Sequence, residues 1–413
     1  MNQESQVSVH SETGPLKRVM LHKPGKEIDR LTIENMDELL FDDLLWLEQA
    51  RKEHDKFADI LRSEGAEVLY FNESLAKVLE NPTAREELLK DVFKFENVDY
   101  CLSEKLLPPL MKWPALKLAD HLIEGFTKAE IKKLCDTGAS LVAAVENGSD
   151  FMIHPIPNLY FQRDPAMSVA NGIILGQMTF PARRIEPLYW RYIIKNHPSF
   201  KDTPILYGEN PDETWPHQIE GGDFLVLTDT ALAIGISQRT APATIEKIGF
   251  VLAKKTPIRR IFAFEIPKER YCMHLDTVFT MVDKDAFVIY PPILKTLKVW
   301  ELNFGDDGKL LSIERLKDWE AAIAKELGVP NIRLIKMEAA TKEETAREQW
   351  HDGVNTFAVK PGVVVTYNRN VNATKKLEEN GIRVLQLEGP ELGRGRGGPR
   401  CMSMPLSRGP VKD

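Results

Sequence analysis

Apolar residues recur at three- and four-residue steps through DDLLWLEQARKEHDKFADILRSEG, where Leu47, Ala50, His54, Phe57 and Leu61 fall on one stripe. That period predicts an amphipathic helix, and Gly65 supplies a stop just past its end. Before it, LKRVMLHKP sets Leu16, Val19 and Leu21 among basic residues, which reads as a strand. After it, AEVLYF reads as a buried strand. Residues 1–75 therefore predict a strand–helix–strand unit. From 76 to 149 the pattern changes: TAREELLKDVFKF, LADHLIEGF and TKAEIKKLCDTG are helical and no convincing strand interrupts them. This stretch reads as an inserted helical subdomain, with residues 150–413 forming the remainder of the main fold.

Beyond the insertion one outline recurs: a polar cluster, an apolar strand, a tight turn and a second apolar strand. It is carried by NLYFQRDPAMSVANGIILGQM, IEGGDFLVLTDTALAIGIS, MHLDTVFTMVDKDAFVIYP and DGVNTFAVKPGVVVTYNRN. Turn chemistry comes from Asn171-Gly172, Asp229, Asp285 and Pro361-Gly362. Helical stretches such as TIEKIGFVLAK and NATKKLEENG follow, and IRVLQLEG returns as a strand. With the N-terminal unit this makes about five related modules. Repetition of one supersecondary unit predicts a ring or solenoid whose neighbours complete each other's cores. The alternative is a mixed α/β domain whose hairpins merely look alike.

Composition narrows the function classes. The chain has 413 residues, 43% hydrophobic and 28% charged, with a formal charge of −7. An acidic balance disfavours general nucleic-acid or anionic-membrane binding, which wants a basic face. No run approaches the ~20 apolar residues that span a bilayer. The N-terminal stretch has no apolar h-region, so no signal peptide is expected. Cys101, Cys135, Cys272 and Cys401 show neither a CxxC pair nor metal-ligand spacing. Such sparse use predicts free thiols and a cytoplasmic address.

Charged residues then stand out at the module edges, where a ring would aim them at a common centre. They are Asp164 in FQRDP, Glu220 in IEGGD, and His274 with Asp276 in MHLDT. Taken singly, each is an ordinary turn former or surface group. His274 and Asp276 are two apart, so on a strand they would share a face. A His beside a carboxylate suits acid–base work near neutral pH. A metal pair is the other reading, but no HxxxH or HExxH supplies further ligands. The two glycines after Glu220 leave room for a group to approach closely.

Near the end, GRGRGGPRCMSMPLSR packs four glycines, three arginines and a proline into the eight residues before Cys401. A phosphate loop is excluded by the missing G-K-[ST] ending. Cationic neighbours lower a cysteine's pKa, and Arg394, Arg396 and Arg400 are candidates for that effect. A Cys, a His and several carboxylates suggest nucleophilic attack on a cationic substrate, since two carboxylates can grip a planar guanidinium. Cys101, Cys135 and Cys272 are expected to be packing residues.

The chain also resembles the arginine deiminase family of guanidino-group-modifying (pentein) enzymes. The likeness is carried in order by LFDDLLWLEQARKEHDKFA, PNLYFQRDP, PARRIEPLY, IEGGD, GISQRT, MHLDTVFTMVD, REQWHDGVNTFAVKPGVVVTYNRN and GRGRGGPRCMSMPLSR. It implies a five-bladed α/β propeller of ββαβ modules with the helical stretch inserted. It also implies hydrolysis of L-arginine to L-citrulline and ammonia with no metal or organic cofactor. Cys401 would be the nucleophile, His274 the general acid and base, Asp164 and Asp276 the guanidinium holders, and Glu220 the partner of His274. For the amino-acid end of the substrate the resemblance points to Asn158, Arg183 and Arg239, with Phe161 packed on the stem. Gly395 and Arg396 would lie on a terminal gate. Family precedent implies a homodimer or homotetramer. Alternatives are an agmatine deiminase-like or dimethylarginine hydrolase-like enzyme, an amidinotransferase, or a non-catalytic arginine-binding protein.

Overall fold

The computed structural model describes residues 6–138, 140–145, 150–210 and 218–411. Its organising unit is an antiparallel strand pair followed by a helix and a third strand parallel to the second. Ala166–Val169 pairs with Gly172–Leu175, helix Glu186–Asn196 crosses over, and Ile205–Tyr207 lies parallel. The same order runs through Phe224–Val226, Ala231–Ile236, helix Pro242–Lys255 and Arg260–Glu265. It recurs in Phe279–Met281, Ala286–Ile289, helix Trp319–Leu327 and Arg333–Lys336. It recurs again in Phe357–Lys360, Val363–Tyr367, helix Val371–Glu379 and Arg383–Leu387.

The fifth module joins the two ends of the chain. Met404–Arg408 pairs antiparallel with Leu16–Leu21, which pairs parallel with Glu67–Tyr70 across helix Leu47–Ser63. The N-terminal strand–helix–strand unit thus lacks its first strand, and the far end of the sequence supplies it. The five sheets are those of the ββαβ propeller class. Where both faces of a strand pair are covered, every residue is buried, as in Ala166–Val169 and Gly172–Leu175.

Helix Leu47–Ser63 buries Ala50, His54, Phe57 and Leu61 of the predicted stripe, with Leu47 half-buried at its start. Gly65 follows with φ of +91°, a conformation that favours glycine. AEVLYF departs from its buried reading. Glu67–Tyr70 is exposed or half-buried because it is the last strand of its sheet, and Phe71 already opens the next helix. Helices Phe71–Leu79, Pro82–Phe95, Tyr100–Met111 and Ala115–Glu124 follow. Their inner faces share one apolar cluster with Met20, Ile173 and Met404 of the sheets and Trp190 of helix Glu186–Asn196, so helices and modules are packed as one body there. Cys101 is exposed on its helix rather than packed, whereas Cys272 is buried.

Helix Lys342–Trp350, the short strand pair Phe126–Thr127 and Phe151–Ile153, and one hairpin lie outside the repeating outline. The hairpin Lys298–Phe304 and Leu310–Leu316 adds two strands to the sheet containing Arg260–Glu265. Among the described residues no helix is long and apolar enough to cross a membrane.

Candidate active site

The module repeat places one polar loop just ahead of each first strand. Asp164 precedes Ala166, Glu220 precedes Phe224, His274 and Asp276 precede Phe279, Asn355 precedes Phe357, and Cys401 precedes Met404. All six residues are buried, with Glu220, Asp276 and Asn355 at 0% exposure. Hydrogen bonds and ion pairs join Asp164, Glu220 and His274 in one group and Asp276, Asn355 and Cys401 in another, and Asp164 and His274 act electrostatically on Asp276 to make them one cluster.

His274 and Asp276 reach that cluster by a different route from the one strand alternation predicts. His274 is extended, and Leu275–Thr277 is a single 3-10 turn that re-aims the chain before Phe279–Met281 begins. IEGGD likewise turns at Gly221–Asp223. The turn at 275 is fixed from outside, because Asp223 Oδ1 accepts the Leu275 N–H at 2.8 Å while its Oδ2 accepts from Ser237 Oγ at 2.6 Å. The glycine reading of IEGGD holds: a Cβ on Gly222 would stand 2.5 Å from His274 Nδ1.

His274 Nε2 lies 2.9 Å from Glu220 Oε2, and Nδ1 lies 3.8 Å from Asp164 Oδ1. Burial alone would lower the imidazole's pKa, but Asp164, Glu220 and Asp223 together push it up to about 9. At neutral pH the ring is therefore a cation that donates from Nε2 to Glu220. Glu220 Oε1 accepts the Thr179 N–H at 3.0 Å, and Oε2 also accepts from Arg239 Nη1 at 3.0 Å. These partners overcome burial and keep Glu220 ionised well below the usual carboxylate range.

Cys401 is 5% exposed, with Sγ 3.9 Å from Asp276 Oδ2. Burial first, then Asp276, Asp164 and Asp352, push its thiol well above the ordinary value. The arginines of GRGRGGPR do not offset this, because carboxylates claim each of them. Arg394 pairs with Asp43 and Glu391 at the surface. Arg400 is buried between Glu12, 2.9 Å away, and Asp276, 2.8 Å away, and donates to Phe224 O. Arg396 faces Asp42 at 3.8 Å and lies 3.2 Å over the Trp350 ring. The thiol-lowering role expected of these three side chains is thus corrected: burial and the surrounding carboxylates hold the thiol up.

The remaining expected residues lie around this cluster. Arg183 is a counter-ion within it, donating to Asp164 Oδ2 at 2.6 Å and to both oxygens of Glu186 at 2.9 Å. Arg239 faces Glu220 and stacks 4.5 Å over Phe180, leaving its buried Nε unpartnered. Arg396 Nε is buried without a hydrogen-bond partner as well. Asn158 Nδ2 donates to Leu39 O at 2.6 Å, and the Phe161 carbonyl accepts from Arg183. The loop bearing Gly395 packs directly on Tyr160 and Phe161. A Cβ on Gly395 would stand 1.7 Å from the Tyr160 hydroxyl, and one on Gly397 would stand 2.2 Å from the Phe161 ring. Outside this loop, a cavity of about 420 Å³ is lined by Asp42, Asp43, Trp350, His351 and Arg369 together with Arg394 and Arg396.

Asp164, Glu220 and His274 offer ligand atoms within 4.8 Å of one another, close enough to share a cation. Arg183 and Arg239 already supply positive charge to two of the three, so a metal would compete with built-in counter-ions.

Asp223, Asp352 and Asn355 belong to the cluster but are not anticipated by the sequence reading. Asp352 is buried with φ of +60°, and burial with the nearby Asp276 raises it to about 7 against the pull of Arg396. The signal was positional. DGVN opens the fourth repeat at the place FQRD, EGGD and HLD occupy in the others, and its polar residues were available by register alone.

Residues 37–408 match the arginine deiminase family. The chain is 42% identical over 405 residues to an arginine deiminase of Streptococcus sanguinis, covering 97% of this chain and 98% of that one. It is 41% identical over 408 residues to an arginine deiminase of Staphylococcus aureus, with the same coverage. Among solved structures it superposes on an amidinotransferase of saxitoxin biosynthesis from Microseira wollei, with TM-score 0.55, 13% identity and 99% of each chain covered. It also superposes on the N-terminal domain of a cyanobacterial arginine dihydrolase, with TM-score 0.53, 12% identity, and 96% and 99% covered. At those identities the two structures establish the shared fold.

Proposed function

The chain belongs to the arginine deiminase family, and on that premise we propose that it hydrolyses L-arginine to L-citrulline and ammonia through a covalent intermediate on Cys401. One observation carries the reading: the buried Cys401 has its Sγ 3.9 Å from Asp276 Oδ2, in one site with a buried His274 paired to Glu220 and Asp164. Beside the sulfur, Asp276 and Asp164 favour positive charge. A guanidinium held by Asp164 and Asp276 supplies it and lowers the thiol's pKa, so that substrate helps to make its own nucleophile.

In this mechanism the Cys401 thiolate forms a bond to the guanidinium carbon. His274, protonated and hydrogen-bonded to Glu220, gives its proton to the departing nitrogen, which leaves as ammonia. The neutral imidazole then takes a proton from water as the water oxygen attacks the S-amidino carbon. Collapse breaks the C–S bond while the adduct's hydroxyl proton passes to the departing sulfur, which restores the thiol, replaces the proton it gave to solvent when arginine bound, and releases citrulline. Glu220 stabilises the imidazolium and holds the ring in place. No step calls for a metal or organic cofactor. At the far end of the substrate, the unpartnered N–H groups of Arg239 and Arg396 suit an α-carboxylate, with Arg183, Asn158 and Phe161 shaping the floor and Gly395 and Arg396 the gate.

The test is citrulline formation by the purified protein on L-arginine, agmatine and N-methylated arginines. Arginine is expected to give the highest kcat/KM by at least about 100-fold, because agmatine leaves the buried arginine donors unpaired. A preference for agmatine overturns the assignment.

The acid–base role makes a second prediction. Gly222→Ala places a methyl group where the His274 ring stands. It is expected to lower kcat about 100-fold, within the range that positioned proton transfer contributes. Steady-state kinetics checks this, with circular dichroism to confirm a folded variant.

The same family-based reading extends to a cytoplasmic address and a homodimeric or homotetrameric assembly. It also treats residues 76–149 as an insertion between the first module, 1–75, and the rest, 150–413.

A further inference from the structure

We propose that Asn355 is a positioning residue for the nucleophile: its side-chain amide ties the backbone of Cys401 to the backbone of Asp276 and so fixes the spacing between thiol and carboxylate. The proposal rests on the mechanism above and adds to it the contribution of the fourth module.

Asn355 is fully buried two residues ahead of Phe357–Lys360. Its Oδ1 accepts the Cys401 N–H at 3.1 Å, and its Nδ2 donates to the Asp276 carbonyl at 3.3 Å. The orientation of the amide is set by its neighbours, since a backbone N–H requires an acceptor and a backbone carbonyl requires a donor. Asn alone among side chains of this size presents both without charge. Asp lacks the donor, and an apolar residue lacks both.

Neutrality matters because Asp276, Asp164 and Asp352 already hold the thiol up, and a fourth carboxylate would hinder its ionisation further. The backbone of Asn355 is itself anchored, its N–H donating to Asp352 O at 3.0 Å. The gate is fitted to it as well. A Cβ on Gly398 would stand 2.6 Å from both the carbonyl oxygen and Oδ1 of Asn355. Asn355 therefore touches the two strand-leading loops that carry Asp276 and Cys401. It acts on the reaction through their main chains.

Removing the tether is expected to misplace the sulfur without removing any group assigned to bind arginine. Asn355→Ala should lower kcat roughly 100-fold, the cost of about 1 Å of misplacement, while KM stays within about threefold. Asn355→Asp keeps the acceptor and adds a negative charge. It should recover part of kcat over the alanine variant, and it should shift the pH profile of thiol alkylation by iodoacetamide toward higher pH.

Active thiol is counted in every sample, and turnover is expressed per thiol. The proposal is overturned if Asn355→Ala keeps kcat per thiol within threefold of wild type. It is equally overturned if Asn355→Asp leaves the alkylation profile unmoved, a result that decides the matter even should the alanine variant fail to fold. Wild-type protein that alkylates normally but forms no citrulline would sink the functional reading instead, which keeps the two failures apart.

Discussion

Cys401→Ser is expected to lower citrulline formation from arginine by at least about 10⁴-fold while leaving the fold intact, the scale on which removing an essential nucleophile acts. The reason lies in how the site treats ionisation. Burial and three carboxylates push the thiol well above its ordinary range. A serine hydroxyl begins several pH units less acidic, so the same surroundings place its alkoxide out of reach even with a guanidinium bound. Structurally the exchange is mild, because a hydroxyl takes the thiol's place at its 3.9 Å approach to Asp276 and the backbone N–H to Asn355 is untouched. Steady-state assay together with intact mass after acid quench provides the check. Wild type should show a covalent amidino adduct that the serine variant lacks. Citrulline formation by the variant within tenfold of wild type would exclude the covalent route altogether.

The extent to which this site was legible depends on what each residue type must do locally. Asp164, Glu220, His274 and Asp276 were readable because charged residues at the head of apolar strands have no place in a core unless they meet each other. Their assembly follows from the repeat, which brings the head of every first strand to the centre. The partner choices were not readable. Arg400 stands one residue from Cys401 in sequence, yet its guanidinium is held between Glu12, almost the whole chain distant, and Asp276. Sequence proximity suggested a free cation beside the thiol, and long-range pairing neutralises it. Arg183 presents the same lesson, since Glu186, one helical turn on, and Asp164 both claim it.

Strand alternation also misled at MHLDT, because the Asp223 side chain from another loop imposes the turn there. The ring closure was half visible. A strand–helix–strand unit lacking its first strand is evident from residues 1–75, but only the fold discloses that Met404–Arg408 supplies it. A consequence is that the nucleophile loop is anchored at both sides of the chain's closure. Its glycines serve close packing on Tyr160, Phe161 and Asn355 as much as freedom to move.

Asp276→Asn should produce opposite changes in two measurements, and that opposition tests the electrostatic account most sharply. Arginine turnover, as kcat/KM, is expected to fall about 10³-fold, because a buried guanidinium loses one of its two carboxylates. Thiol alkylation in the absence of substrate is expected to accelerate. After burial itself, Asp276 is the largest influence raising the Cys401 pKa, and the same carboxylate neutralises Arg400 at 2.8 Å. Replacing it with an amide removes a negative charge and partly frees a positive one, and both changes favour thiolate. The sign is therefore fixed: the variant's iodoacetamide rate profile moves to lower pH. A non-reactive arginine analogue bound to wild type should move the profile in the same direction, because its guanidinium places positive charge beside the sulfur. In the variant the analogue should move it less, since the holder of that guanidinium is gone. A profile unchanged by the substitution, or shifted upward, would mean that the carboxylates do not hold the thiol neutral and that substrate does not make its own nucleophile.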